Sequence, residues 1–187
     1  MFYLIILGLV LWTGAHYWKR LAPDHRASFG DKGKGIAALT MFAGIILMVI
    51  GYRGSDYVYV YDLGGWARGV NNLLMFVAIA LLGLGSSKSR FGHSLRHPMT
   101  LGFLVWVVAH LLVNGDRDSI VLFGGLGLWA IGQMWLINRA DPDGKLNRKP
   151  GSVAGDIRLA IITVVVYAVI SGIHIWLGVN PFSGTVS

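Results

Sequence analysis

The stretch IAALTMFAGIILMVIGY, residues 36–52, decides the fold class. It carries no ionisable acid or base and is closed by Arg53. A run of this kind is read as a membrane-spanning helix when its neighbours repeat the pattern. Outward from it they do, with further apolar runs at residues 2–18, 70–85, 98–114, 119–137 and 157–178. The reading is an all-α, polytopic transmembrane helical bundle of about six helices, forming a single domain over residues 1–187. Some runs are near 16 residues, roughly 24 Å of helix against a ~30 Å hydrocarbon core. The first and third must therefore extend into flanking residues, or the bilayer must thin. A four- or five-helix arrangement with one re-entrant segment stays open.

Composition agrees. Of 187 residues, 55% are hydrophobic and 13% charged, too little charge for a soluble domain of this length. The net charge is +7, but its placement argues against a nucleic-acid partner. Lys19, Arg20, Arg26, Lys32, Lys34, Lys88, Arg90, Arg96, Arg139, Lys145, Arg148 and Lys149 fall in the odd connectors, with Arg158 just inside the last helix. The even connectors hold only Arg53, Arg68 and Arg117. The positive-inside bias puts odd connectors in the cytoplasm and both termini outside. The first apolar run lacks a basic segment before it and a small-residue cleavage site after it, so it reads as an uncleaved helix. Cysteine is absent, which excludes disulfides, thiolate metal sites and covalently attached haem. Tyr57, Tyr59 and Tyr61 alternate as an edge strand would, but an interfacial aromatic belt suits them better.

Ionisable groups at membrane depth are costly, so the histidines matter. His25 and His93 fall in basic connectors and read as solvated. His16 and His97 lie at similar depth near the cytoplasmic side, and His110 and His174 near the outer side. His110 follows His97 by thirteen residues, about 20 Å along a helix, so the two cannot share one metal. Two facing pairs result, each able to ligate haem iron or another metal. The competing reading is interhelical hydrogen bonding. It is preferred for His174, whose helix face also carries Thr163, Tyr167 and Ser171. Trp106 and Asn114 flank His110 on its own face. The glycines Gly124, Gly125, Gly127 and Gly132 read as close-packing positions, with Gln133 as interhelical glue.

Arg96-His97-Pro98-Met99, followed by Gly102, Trp106, Ala109-His110 and Asn114-Gly115-Asp116, resembles the NnrU family, which shares a domain with zeta-carotene isomerase. The likeness takes in His16 and the Gly30 to Gly35 connector. It implies a bacterial inner-membrane protein linked to denitrification and nitric oxide metabolism, or to haem-based isomerisation. By that resemblance His16, His97 and His110 are candidate ligands or pocket residues of haem b, with Arg96, Trp106 and Asn114 around them. Their matched depth makes His16 and His97 the favoured ligand pair, slightly ahead of a site built on His110.

Two alternatives stand beside it. One is a non-enzymatic accessory protein that assembles or regulates a respiratory or nitric oxide reductase complex. Its small size, a lack of buried carboxylates and the absence of a soluble domain suggest this. The weaker is a membrane methyltransferase of the isoprenylcysteine type, which the Arg-His-Pro string also resembles. Such enzymes follow the string with a glutamate-rich segment, and this chain has no glutamate.

Overall fold

A computed structural model describes residues 1–144 and 151–183. Lys145, Arg148, Lys149 and Pro150 of the last connector lie outside the described residues. Within them the chain forms seven α-helices: α1 (Phe2–Leu21), α2 (Pro23–Ser28), α3 (Lys32–Gly54), α4 (Gly65–Leu84), α5 (Pro98–Val113), α6 (Arg117–Ala140) and α7 (Val153–Trp176). A short 3-10 turn, Arg90–His93, precedes α5. Helices α3, α4, α6 and α7 are long and apolar enough to cross a membrane, and α5 is a shorter apolar helix. Nearly every run outgrows its apolar stretch: α1 by three residues at its end, α3 by four at its start. Backbone groups keep hydrogen-bonding past the last apolar side chain until a breaker intervenes. After α1 that breaker is Pro23, which bars Ala22 from helical geometry and itself opens α2 as its first residue. The short α2 was not foreseen; six residues carry too little periodicity to announce a helix.

The described chain packs as two compact units, residues 1–61 with 114–142, and residues 62–113 with 143–144 and 151–183. In the first, α1 and α3 run antiparallel along a seam of glycines. A Cβ at Gly8 would lie 2.6 Å from the Gly44 carbonyl, and one at Gly51 would lie 2.8 Å from the Ile5 amide. Small residues of this kind let backbones approach where lipid offers no hydrophobic drive between helices. Helix α6 joins α1 through Gly125, against Leu9, and Gly132, against the Tyr17 hydroxyl. Gly124, by contrast, faces open space. Ile5, Met48, Phe123, Leu126 and Ala130 form this unit's core.

In the second unit α4 carries both α5 and α7. Gly102 of α5 sits where a Cβ would lie 2.8 Å from the Ala78 carbonyl. Thr163 and Ser171 of α7 are buried, and Tyr167 meets Phe76 edge-on at 5.8 Å. Asp156, in the first turn of α7, fastens the turn before α5. Ser89 Oγ donates to Oδ1 at 2.7 Å, and Arg90 Nε donates to Oδ2 at 2.6 Å. The outward faces of α7 are valines and isoleucines, as a lipid-facing helix requires.

Candidate functional site

The first unit holds an aromatic cluster built on helical spacing. Trp12 and His16 are one turn apart on α1, so they share a face. His16 Nδ1 lies 2.8 Å from the Trp12 carbonyl oxygen. A carbonyl only accepts, so Nδ1 carries the proton and Nε2 keeps its lone pair. The imidazole lies between two indoles, 4.3 Å from Trp12 and 4.6 Å from Trp129 of α6. Tyr17 fixes the same seam, its hydroxyl donating to the Trp129 carbonyl at 2.7 Å. Among the described residues, the Trp12 indole nitrogen and Gln133 Oε1 are buried there without a hydrogen-bond partner. Gln133 thus does not supply through Oε1 the interhelical bond that its sequence context suggests.

The second unit repeats the tryptophan–histidine spacing. His110 Nδ1 donates to the Trp106 carbonyl at 2.9 Å, and the two rings stand 4.6 Å apart. Phe103 extends the aromatic row, 5.1 Å from Trp106. His174 of α7 makes the same bond to its own helix, Nδ1 to the Ile170 carbonyl at 2.8 Å. Both imidazoles are therefore held with Nε2 as the lone-pair nitrogen. They are also near enough to interact electrostatically. His97 stands just before α5, its carbonyl accepting from Leu101 at 2.9 Å. The Arg96 guanidinium lies against Gly144 (φ 52°), where a side chain would collide with it. Helix α5 ends at Val113. Asn114 therefore opens the following turn and does not extend the His110 face, as the longer helix reading required. His16 and His97 fall in different units, whereas His110 and His174 fall in one.

The sequence reading missed a polar network after Asn114. Asp116 caps α6, accepting from Ser119 N at 2.9 Å, and Ser119 Oγ donates to its other oxygen at 2.6 Å. Asp118 pairs with Arg117 at 2.8 Å, and that guanidinium lies 4.5 Å over the Phe2 ring. Asp116 and Asp118 are only 7% and 4% exposed, so the chain does bury carboxylates. The Gly115 carbonyl accepts from the Val60 and Tyr61 amides, both at 2.9 Å. Tyr59 forms an isolated bridge with Asp116 but no strand, and its ring is exposed. The clue in sequence was the Asp-x-x-Ser spacing at a helix start. His25, read as merely solvated, accepts from the Trp18 indole at 2.9 Å.

Several helices of spanning length and apolarity define a multi-pass helical membrane protein. Among the described residues no three histidine or carboxylate side chains gather as a multi-ligand metal centre would need. The chain belongs to the NnrU protein family, whose sequence model matches residues 4–181. Comparison with curated proteins and with solved structures finds no match.

Proposed function

We propose that this NnrU protein binds haem b within the membrane, with His110 and His174 as the ligand pair. The observation that carries the reading is their shared state. Each donates Nδ1–H to the carbonyl four residues earlier, leaving Nε2 as the donor nitrogen, and the two interact within one unit. Neutral histidine nitrogen is a haem-iron ligand open to a protein lacking cysteine. A fixed Nδ1–H bond also orients the ring and raises its basicity. Trp106 and Phe103 supply an aromatic row beside His110, its rings tilted by 43–48° to their neighbours. When bound, haem would supply one-electron redox chemistry or a ligand position for a small molecule. His16, His97, Arg96 and Asn114 drop behind this pair as candidates. The setting suggested by family resemblance is nitrogen-oxide metabolism or redox-linked isomerisation in a bacterial inner membrane.

The accessory-protein alternative loses one support, since Asp116 and Asp118 are buried. The test is a visible spectrum of protein purified in detergent and supplemented with haem. A Soret band that is lost or becomes high-spin in both H110A and H174A is expected. A wild-type protein without a Soret band would end the proposal.

A further inference from the structure

We propose that the hairpin of residues 18–34 is a binding site for the headgroup of an anionic phospholipid. Helix α1 ends in Lys19 and Arg20, and α3 begins with Lys32 and Lys34. Because α1 and α3 pack antiparallel, these four exposed side chains converge on one end of the unit. Arg26 is drawn into the same end. Its guanidinium lies 5.4 Å over the Trp18 ring, donates to the Gly30 carbonyl at 3.3 Å, and rests against Gly33, where a Cβ would displace it. Five basic side chains stand against Asp24 and Asp31, leaving three net positive charges in seventeen residues. Asp31 is already engaged by Lys34 at 2.9 Å.

The depth of the hairpin selects a lipid. Helix α3 is apolar and long enough to span, and Lys32 is its first residue, so this end emerges among headgroups. Trp18, His25 and Phe29 form a triangle of rings with centroids 5.3–5.6 Å apart. Phe29 is 40% exposed beside Trp18, and tryptophan's amphipathic ring is of the kind that seats at the membrane–water interface. A cluster of lysine and arginine held at that level by aromatic anchors is the arrangement that attracts anionic headgroups. The triangle fixes the loop, and Lys19, Arg20 and Lys32, with Lys34 beside them in its pair with Asp31, meet the phosphate.

The experiment is native mass spectrometry of the full-length protein released from detergent micelles containing equal phosphatidylglycerol and phosphatidylcholine. Wild type is expected to retain phosphatidylglycerol preferentially. The variant K19Q/R20Q/K32Q/K34Q, which keeps Trp18, Arg26 and their contacts, is expected to lose that retention at least about tenfold, since each basic residue at a surface contributes roughly fivefold. The double variants K19Q/R20Q and K32Q/K34Q each give a partial loss and stand in should the quadruple variant misfold. R53Q/R68Q, neutralised elsewhere, retains the lipid. Equal retention of both lipids by wild type, unchanged retention in the quadruple variant, or full displacement by millimolar inorganic phosphate would overturn the assignment.

Discussion

Tyr52 and Ser119 are joined by a 2.8 Å hydrogen bond whose direction is fixed by a third residue. The Ser119 hydroxyl already donates its only proton to Asp116 Oδ2, so Tyr52 must be the donor to Ser119. The chain Tyr52 to Ser119 to Asp116 therefore ties α3 to the start of α6. Ser119 is fully buried and Asp116 nearly so. Replacing Ser119 with alanine leaves a phenol and a carboxylate oxygen short of partners, at a cost of roughly 1–3 kcal/mol. Replacing Tyr52 with phenylalanine removes a donor but leaves Asp116 satisfied, at about 0.5–1.5 kcal/mol. Thermal unfolding in detergent should rank S119A below Y52F; the reverse order would show that the chain does not run in this direction.

The glycine seams predict a contrast between packed and open helix positions. At Gly44 a Cβ would meet the Gly8 carbonyl at 2.9 Å and the Trp12 amide at 3.2 Å, both backbone atoms that cannot turn aside. G44A, and G102A in the second unit, should each lose about 1–3 kcal/mol through overpacking. Nothing lies within 4 Å of such a Cβ at Gly14. There G14A should be neutral or stabilise by up to about 1 kcal/mol, because alanine is the better helix former. Matched melting curves of the three variants provide the check, and equal effects at Gly14 and Gly44 would refute the close approach of α1 and α3.

These contacts also mark how far sequence alone reaches. The helical class was legible because apolarity over a spanning length is a property of each run by itself. The pairing of helices was not. Gly125 and Gly132 were picked out because they crowd one helix, and they do pack closely. Gly8, Gly44, Gly51 and Gly102 are scattered through apolar runs, and only the facing backbone shows why a side chain is excluded. The histidines were equally visible, yet their tautomers depend on Nδ1 reaching a carbonyl, a matter of rotamer that no spacing records. Asp116 and Asp118 looked like turn residues because burial there comes from the chain folding back through Val58, Val60 and Tyr61.

The two tryptophan–histidine pairs should separate spectroscopically. If haem is held by His110 and His174, W106L should shift the Soret maximum or weaken haem retention, because the indole wall beside His110 is lost. H16A should leave the absorption spectrum intact, since its ring is enclosed by Trp12 and Trp129. Loss of the low-spin spectrum in H16A, with H174A unchanged, would move the iron to the first unit.

The last prediction concerns the number of crossings. Length and apolarity single out α3, α4, α6 and α7, whereas the charge pattern was read with α1 and α5 crossing as well. Both counts are even, so each keeps the two chain ends on one side, but they distribute charge differently. With four crossings, the basic residues at 139–149 fall on the opposite side from those at 19–34 and 88–96. With six, all three groups share the cytoplasm, and thirteen Lys and Arg stand against three. The positive-inside bias favours six. At 16 residues α5 is roughly 24 Å long, so a crossing there requires local thinning or burial of its ends. A periplasm-active reporter fused after Ser187 should then be active, and one inserted in the connector after Ala140 should be silent. Activity at the connector, with silence after Ser187, would reverse this orientation, and a further reporter inserted after Ala22, which lies opposite Ser187 with six crossings and on its side with four, decides the count.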